Sequence, residues 1–356
     1  MKLINTKDAV GQVLCHDITQ IIRGEKKGPV FKKGHIVREE DVPVLLSVGK
    51  EHLYVWEKEE GMLHENEAAE ILCAICRGTG AEALESHMRA SEPSEGKIEL
   101  AAECSGLFKI NRTALRAVNS FGQMMIASRH GDTAVKEGDK LLGTRIIPLV
   151  IEADKMEEVQ RRAMKETDGK PVFSLIPFQK KKYAVVTTGS EVYKGLIKDT
   201  FTPVLIDKLA EYEAEYLGNT VCDDDPGMVT GAILDFLEKG AELVLCTGGM
   251  SVDPDDRTPL AIKNTGARIV SYGAPVLPGA MFLLAYMKGG QAVLGLPGCA
   301  MYAKRTIFDL VLPHIMADQE ITAEMLSSLG EGGLCLNCSV CTYPNCGFGK
   351  GHCSKL

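Results

Sequence analysis

The chain has 356 residues, 45% of them hydrophobic, and 40 Lys and Arg against 48 Asp and Glu give a formal net charge of −8. That length exceeds what one growing core fills, so several domains are expected. The acidic balance and scattered basic residues offer no broad footprint for nucleic acid. The opening MKLINTKDAVG carries no apolar signal region, and no stretch approaches the roughly 20 apolar residues of a membrane span, so a cytoplasmic protein with no membrane partner is expected.

The first segment, VLCHDITQIIRGEKKGPVFKKGHIV, sets Gly and Pro between β-rich pieces, which predicts a β-rich N-terminal domain over residues 1–60. From 61 to 178 helical and strand patterns mix. ENEAAEILCAICRG reads as a helix, KIELAAECSGLFKI as strand material around Gly106, and NRTALRAVNSFG as a helix. MMIASRH and RIIPLVI read as strands and KMEEVQRRAMKE as a charged helix, giving an α+β middle domain. Cys73-x2-Cys76 lies in the alanine-rich helical run with no second pair nearby, so it reads as two buried thiols. His16, His64 and His130 stand isolated and read as structural or exposed, and Lys180-Lys181-Lys182 as a solvated linker face.

Residues 179–330 change to short apolar strand, loop, helix, repeated, the pattern of a mostly parallel sheet flanked by helices in an α/β domain. Strands are predicted at Tyr183–Thr187, Leu243–Cys246 and Ala292–Leu296. Thr202-Pro203 opens a helix VLIDKLAEYEAEYL that stops at Gly218, a second helix runs from about Val229 to Lys239, and Thr258-Pro259 opens a third that closes at Gly266. After residue 330 the sequence EGGLCLNCSVCTYPNCGFGKGHCSKL reads as a separate Cys-rich tail, 331–356.

The strand ends deliver Thr188-Gly189-Ser190-Glu191, then Asp223-Asp224-Asp225-Pro226, then TGGMSVDPDDRTP over 247–259, then Leu296-Pro297-Gly298. Open α/β sheets bind ligands at this edge. Glycine turns and a helix N-terminus favour an anion such as phosphate, whereas crowded carboxylates repel one another and the anion unless a cation intervenes. Mg²⁺, which bridges one or two carboxylates to phosphate, reconciles the two. An isolated Asp253-Pro254-Asp255-Asp256 would read as a wet turn; the neighbouring Gly-Gly and the second acidic cluster make it a candidate site with Asp255 and Asp256 as metal ligands.

With TTGSE (187–191), VCDDDP (221–226), LVLCTGGMSVDPDDRTP (243–259), Pro278-Gly279 and GLPG (295–298) in this order, residues 180–320 resemble the molybdopterin-binding domain shared by molybdopterin adenylyltransferases and molybdopterin molybdotransferases. The resemblance implies a pterin dithiolene with a terminal phosphate, or its adenylylated form, assisted by Mg²⁺, with molybdate as co-substrate and a homo-oligomer as the assembly. It places Glu191, Asp224 and Asp256 in catalytic roles. Cofactor contacts fall on Thr188, Gly189, Ser190, Thr247, Gly248, Gly249, Ser251, Asp253, Thr258, Pro278, Gly279, Pro297 and Gly298. Lys304 and Arg305 read either as phosphate contacts or as a helix face. The first 60 residues also look like the N-terminal segment of shorter molybdotransferase-like proteins, but the Met-Asp-Gly-Tyr-Ala loop of the molybdotransferases has no equivalent in 1–180.

The tail holds Cys335-x2-Cys338-x2-Cys341-x4-Cys346, then His352-Cys353. Soft ligands so closely spaced suit tetrahedral Zn²⁺ or an Fe–S cluster, and twelve cysteines in a cytosolic chain argue for metal ligands or buried thiols over a disulfide framework. The function expected is the handling of molybdopterin or its adenylylated form late in molybdenum cofactor assembly. The alternative is a non-catalytic chaperone or sensor that holds the cofactor and docks to a molybdoenzyme.

Overall fold

A computed structural model describes residues 2–22, 26–55, 60–251 and 256–351. The chain forms two units that interleave in sequence. The first takes Met1–Glu103, Ile110–Arg129 and Glu137–Ser174; the second takes Cys104–Lys109, His130–Lys136 and Leu175–Leu356.

In the first unit, a four-stranded antiparallel sheet runs in the order Met88–Ala90, Lys97–Ala102, Lys140–Ile146, Met124–Ser128. Helices Glu65–Arg77, Arg112–Asn119 and Ala153–Thr167 accompany it. His64 is buried and caps the first of these, its imidazole accepting from the Asn66 N–H while Glu67 reaches back to the His64 N–H. Residues 2–55 keep a small core of their own around Leu14, Ile18, Leu45 and Leu53.

The second unit is built on a six-stranded sheet in the order Glu215–Cys222, Lys182–Thr188, Leu243–Thr247, Ala292–Leu296, Leu283–Tyr286, Arg268–Tyr272. The first four strands are parallel, and Leu283–Tyr286 runs opposite to them, pairing antiparallel with both Ala292–Leu296 and Arg268–Tyr272. Both faces are covered, which is why the central strands read as unbroken apolar runs. Alternate residues go to opposite sides. Tyr183, Val185, Leu245 and Leu294 pack with Phe308, Val311 and Ile315 of the helix Ile307–Met316. Ala184, Val186, Val244 and Val293 pack with Val229, Ile233 and Phe236 of the helix Pro226–Glu238 and with Ala261 and Ile262 of the helix Thr258–Asn264.

Two expectations change here. The helix expected to reach residue 217 ends at Ala210, because Glu213 turns into the left-handed region (φ 54°) and Glu215–Cys222 pairs with Lys182–Thr188 as the edge strand. Tyr216 and Leu217 fit the helical spacing, but strand pairing claims them. The segment after 330 is no separate tail. Phe348 is buried in the same core as Phe308, with Cys335, Tyr343 and Cys346 packed against it. Backbone hydrogen bonds Leu277 N–H to Gly333 O, Cys335 N–H to Leu277 O (both 2.8 Å) and Gly349 N–H to Gly332 O (3.0 Å) stitch it down. Among the described residues no helix is long and apolar enough to cross a membrane.

His314 lies 1% exposed on the helix Ile307–Met316, and its Nδ1 has no partner. Burial holds its pKa down to about 4 against an ordinary 6.5, with Asp132 opposing and Lys109 adding. An imidazole whose folded pKa is depressed loses the fold stability as pH falls, since the unfolded chain takes the proton first. Unfolding free energy of the wild type should therefore fall by on the order of 3 kcal/mol between pH 6.5 and 4 through this group. His314→Leu should flatten that part of the pH profile in urea titrations.

Candidate functional site

The parallel strands end level with one another, Thr188 facing Cys222 and Thr187 and Leu296 both facing Thr247. The loops that begin at Gly189, Asp223, Gly248 and Pro297 consequently leave the sheet from one edge. Thr188, Thr247 and Thr258 are buried there. Thr188 Oγ1 lies 3.2 Å from the Thr247 carbonyl oxygen and 3.2 Å from Thr258 Oγ1, which in turn donates to the Gly248 carbonyl at 2.9 Å. The Thr258 N–H donates to the Gly249 carbonyl at 3.1 Å.

This knot explains the Gly-Gly pair. Gly248 (φ 84°) and Gly249 (φ 57°) both occupy the left-handed region. A Cβ on Gly248 would stand 2.2 Å from the Thr188 carbonyl oxygen, and one on Gly249 would stand 2.7 Å from Thr258 Oγ1. Gly279 (φ 129°) is fixed differently, by packing, since its Cβ would meet Ile307 Cγ2 at 2.4 Å. Gly298 is exposed, with open space where a side chain would go.

The carboxylates divide their work. Asp224 Oδ2 accepts from the Ser190 N–H at 2.9 Å and so ties the 223 loop to the 189 loop. Asp223 accepts from the Asp224 N–H, and Asp225 caps the helix Pro226–Glu238 by accepting from the Met228 N–H at 2.7 Å. Asp256 Oδ2 accepts from the Ser251 N–H at 3.0 Å. Glu191 is exposed on the first turn after Gly189. Asp253 and Asp255 lie outside the described residues. Among the described residues no three His, Cys, Asp or Glu side chains gather as ligands of one metal ion.

One acidic residue escaped the sequence reading. Asp199 Oδ2 accepts from Thr187 Oγ1 (3.0 Å), Thr202 Oγ1 (2.5 Å) and Asn219 Nδ2 (3.2 Å), while Oδ1 accepts from the Phe201 and Thr202 N–H groups. It binds the end of the central strand, the start of the helix Phe201–Ala210 and the edge strand into one assembly. Burial works to raise its pKa, but the hydrogen bonds from Thr202, Phe201 and Thr187 outweigh it and hold the carboxyl below its ordinary range. The signal present in the sequence was Asp199 three residues before Thr202, a capping spacing that the Thr202-Pro203 pair masked.

Lys304 and Arg305 are engaged elsewhere than at a phosphate. Lys304 Nζ donates to the carbonyls of Cys338 (3.1 Å) and Ser339 (3.0 Å), and Arg305 pairs with buried Asp309 at 2.8 Å beside Lys208. The four tail cysteines share no single-ion position: Cys338 and Cys341 are exposed, whereas Cys335 and Cys346 pack against the core. His352 and Cys353 lie outside the described residues.

Residues 184–317 match the family described as a probable molybdopterin binding domain, in agreement with the motif resemblance, and residues 3–57 match a domain family of unknown function. The chain is similar to a molybdopterin molybdenumtransferase of Synechococcus elongatus, 27% identical over 156 residues that make up 41% of this chain and 38% of that protein. It is also similar to a molybdenum cofactor biosynthesis bifunctional protein of the same organism, 28% identical over 145 residues, or 37% of this chain and 46% of that protein. The matches thus span less than half of these relatives. The tungsten cofactor synthesizing protein MoaB from Pyrococcus furiosus aligns over 38% of this chain and 95% of its own, at 21% identity and a TM-score of 0.33.

Gly248→Ala should destabilise the protein by ~2–4 kcal/mol, from backbone strain plus the clash with the Thr188 carbonyl. Gly298→Ala should stay within about 0.5 kcal/mol of wild type; thermal unfolding of the pair separates a turn that must be glycine from one that need not be. Asp199→Ala should cost about 1–3 kcal/mol near neutral pH by leaving its donors without an acceptor. Because the folded carboxyl is the more acidic, that difference should shrink as pH falls through the folded pKa, as chemical denaturation at a series of pH values would record.

Proposed function

We propose that residues 184–317 bind a molybdopterin species by its phosphate at the strand-end edge and act on it, or on its adenylylated form, in a Mg²⁺-assisted step coupled to molybdate insertion. The observation that supports this most is the pairing of an obligatory Gly-Gly turn with two braced carboxylates on the same edge. Gly248 and Gly249 leave no side chain in the way of an approaching anion. Asp224 and Asp256 are each fixed by a backbone N–H through one oxygen, Oδ2, which leaves Oδ1 for a cation.

Mg²⁺ is usually held by one or two carboxylates together with substrate phosphate and water, rather than by a cage made of protein alone. The donor set fits that mode: Asp224 and Asp256 would hold the ion, with Glu191 exposed nearby in sequence on the 189 loop. When bound, Mg²⁺ offsets phosphate charge and stabilises the charge that develops on transfer. The chain's own part is positional. Asp224 orients the 189 loop through Ser190, Asp256 is tied to the Ser251 N–H, and the Thr188–Thr258 knot keeps the Gly-Gly turn open toward the ligand. The second reading, a non-catalytic binder or chaperone serving a molybdoenzyme, draws on one observation: residues 1–180 have no counterpart of the Met-Asp-Gly-Tyr-Ala loop.

Asp256→Asn keeps an oxygen that can accept from the Ser251 N–H, so that hydrogen bond should persist while the charge is lost. Mg²⁺-dependent turnover of adenylylated molybdopterin with molybdate should fall at least ~100-fold, with circular dichroism and thermal unfolding close to wild type. Turnover by the wild type that is indifferent to divalent ions would sink the metal-assisted step. Tight molybdopterin binding with no turnover under any condition would favour the non-catalytic reading.

A further inference from the structure

The pterin reading leaves one built feature unused. Cys335, Cys338, Cys341 and Cys346 all line one cavity of ≈ 440 Å³ in the second unit, under the C-terminal segment. None of the four is in a disulfide. The loop that carries them is held in place by contacts that spare the thiols. Lys304 Nζ grips the Cys338 and Ser339 carbonyls, the Cys335 N–H donates to the Leu277 carbonyl, and Tyr343 Oη donates to the Asp309 carbonyl at 2.9 Å. Phe348 anchors the far end in the core. The frame is thus complete without a ligand, with Cys335 and Cys346 packed against the core and Cys338 and Cys341 exposed.

The chemistry of the chamber selects its occupant. A single tetrahedral ion draws its sulfurs to one point, at about 2.3 Å from the metal for Zn²⁺. Here the four cysteines are spread over the lining of one cavity. A polynuclear centre puts its own iron and sulfide between the ligands, so its cysteines stand around a chamber instead of meeting. Four thiolates on such a centre also bring net negative charge, which needs cations close by. Arg305 supplies one: it lines the cavity, lies 4.9 Å from the Tyr343 ring centre and reaches Cys341. Lys304 supplies another on the same wall. Leu334, Leu336 and Tyr343 provide the apolar remainder. The spacing opens as ferredoxin runs do, with two residues between successive cysteines, but the fourth ligand comes two residues after Pro344 rather than just before a proline.

We propose that Cys335, Cys338, Cys341 and Cys346 ligate an iron–sulfur cluster in this cavity, each thiol losing its proton as its sulfur bonds to iron. The inference is independent of the pterin reading and stands or falls on metal analysis. The chain, purified without oxygen and supplied with ferric iron, sulfide and dithiothreitol, the iron(III) providing the oxidising equivalents of the cluster, should contain iron and acid-labile sulfide in equal amounts. It should show broad visible absorption that dithionite bleaches. Cys338→Ser combined with Cys341→Ser alters two exposed positions and should abolish both signals while leaving thermal unfolding of the sheet in place. Cys73→Ala, a cysteine of the first unit, should retain them. Zinc in place of iron and sulfide, no bound metal after loading, or equal iron in the double variant and the wild type would each overturn the proposal.

Discussion

Everything at the strand-end edge depends on a single close approach, the passage of the Gly248–Gly249 turn against the end of the neighbouring strand. With no side chain at either position, Thr188, Thr247 and Thr258 close a buried hydrogen-bond knot. The knot fixes where the helix Thr258–Asn264 begins relative to the sheet. Buried hydroxyls are tolerable only when paired, so Thr188, Thr258 and the two glycines form a set from which no member can be withdrawn alone. The carboxylate braces at Asp224 and Asp256 are built on top of this set.

Asp199 plays the corresponding part on the other side of the central strand. By accepting from Thr187, Thr202 and Asn219 it binds three elements whose sequence positions span 33 residues, from 187 to 219. A carboxylate that accepts several hydrogen bonds is worth more to the fold ionised than protonated. The edge is consequently assembled by charge on one side of that strand and by neutral hydroxyls on the other. This division keeps the negative charge of Asp199 occupied with donors.

Much of this was legible in the sequence, and the exceptions have identifiable causes. The central strands and the helix at Thr258 announced themselves, because a strand buried on both faces leaves an apolar run and a proline at the first turn marks a helix start; the helix Pro226–Glu238 was placed from about Val229, three residues late. The edge strand Glu215–Cys222 did not. Its residues Tyr216 and Leu217 fit a helical spacing, and only pairing with Lys182–Thr188 decides otherwise. The antiparallel pair Leu283–Tyr286 and Arg268–Tyr272 was likewise hidden, since pairing direction has no local signature. Candidate acids were found where glycines and turns flagged them. Asp199 was missed because its partners lie on separate elements. Lys304 and Arg305 read either as phosphate contacts or as a helix face, and their partners, the Cys338 and Ser339 carbonyls and Asp309, are also distant or buried.

The stitching of the C-terminal segment to the loop around Leu277 has a consequence for anyone who would transplant this domain. The family match ends at residue 317, yet Leu326, Leu329 and Phe348, all beyond it, belong to the same core as Phe308 and Leu294. A fusion or domain exchange cut at the homology boundary would strip the cover from one face of the sheet and leave a contiguous oily surface. Such a fragment would be expected to stick to itself. The inheritable unit and the foldable unit of this chain are different lengths, and modular rearrangement would have to respect the longer one.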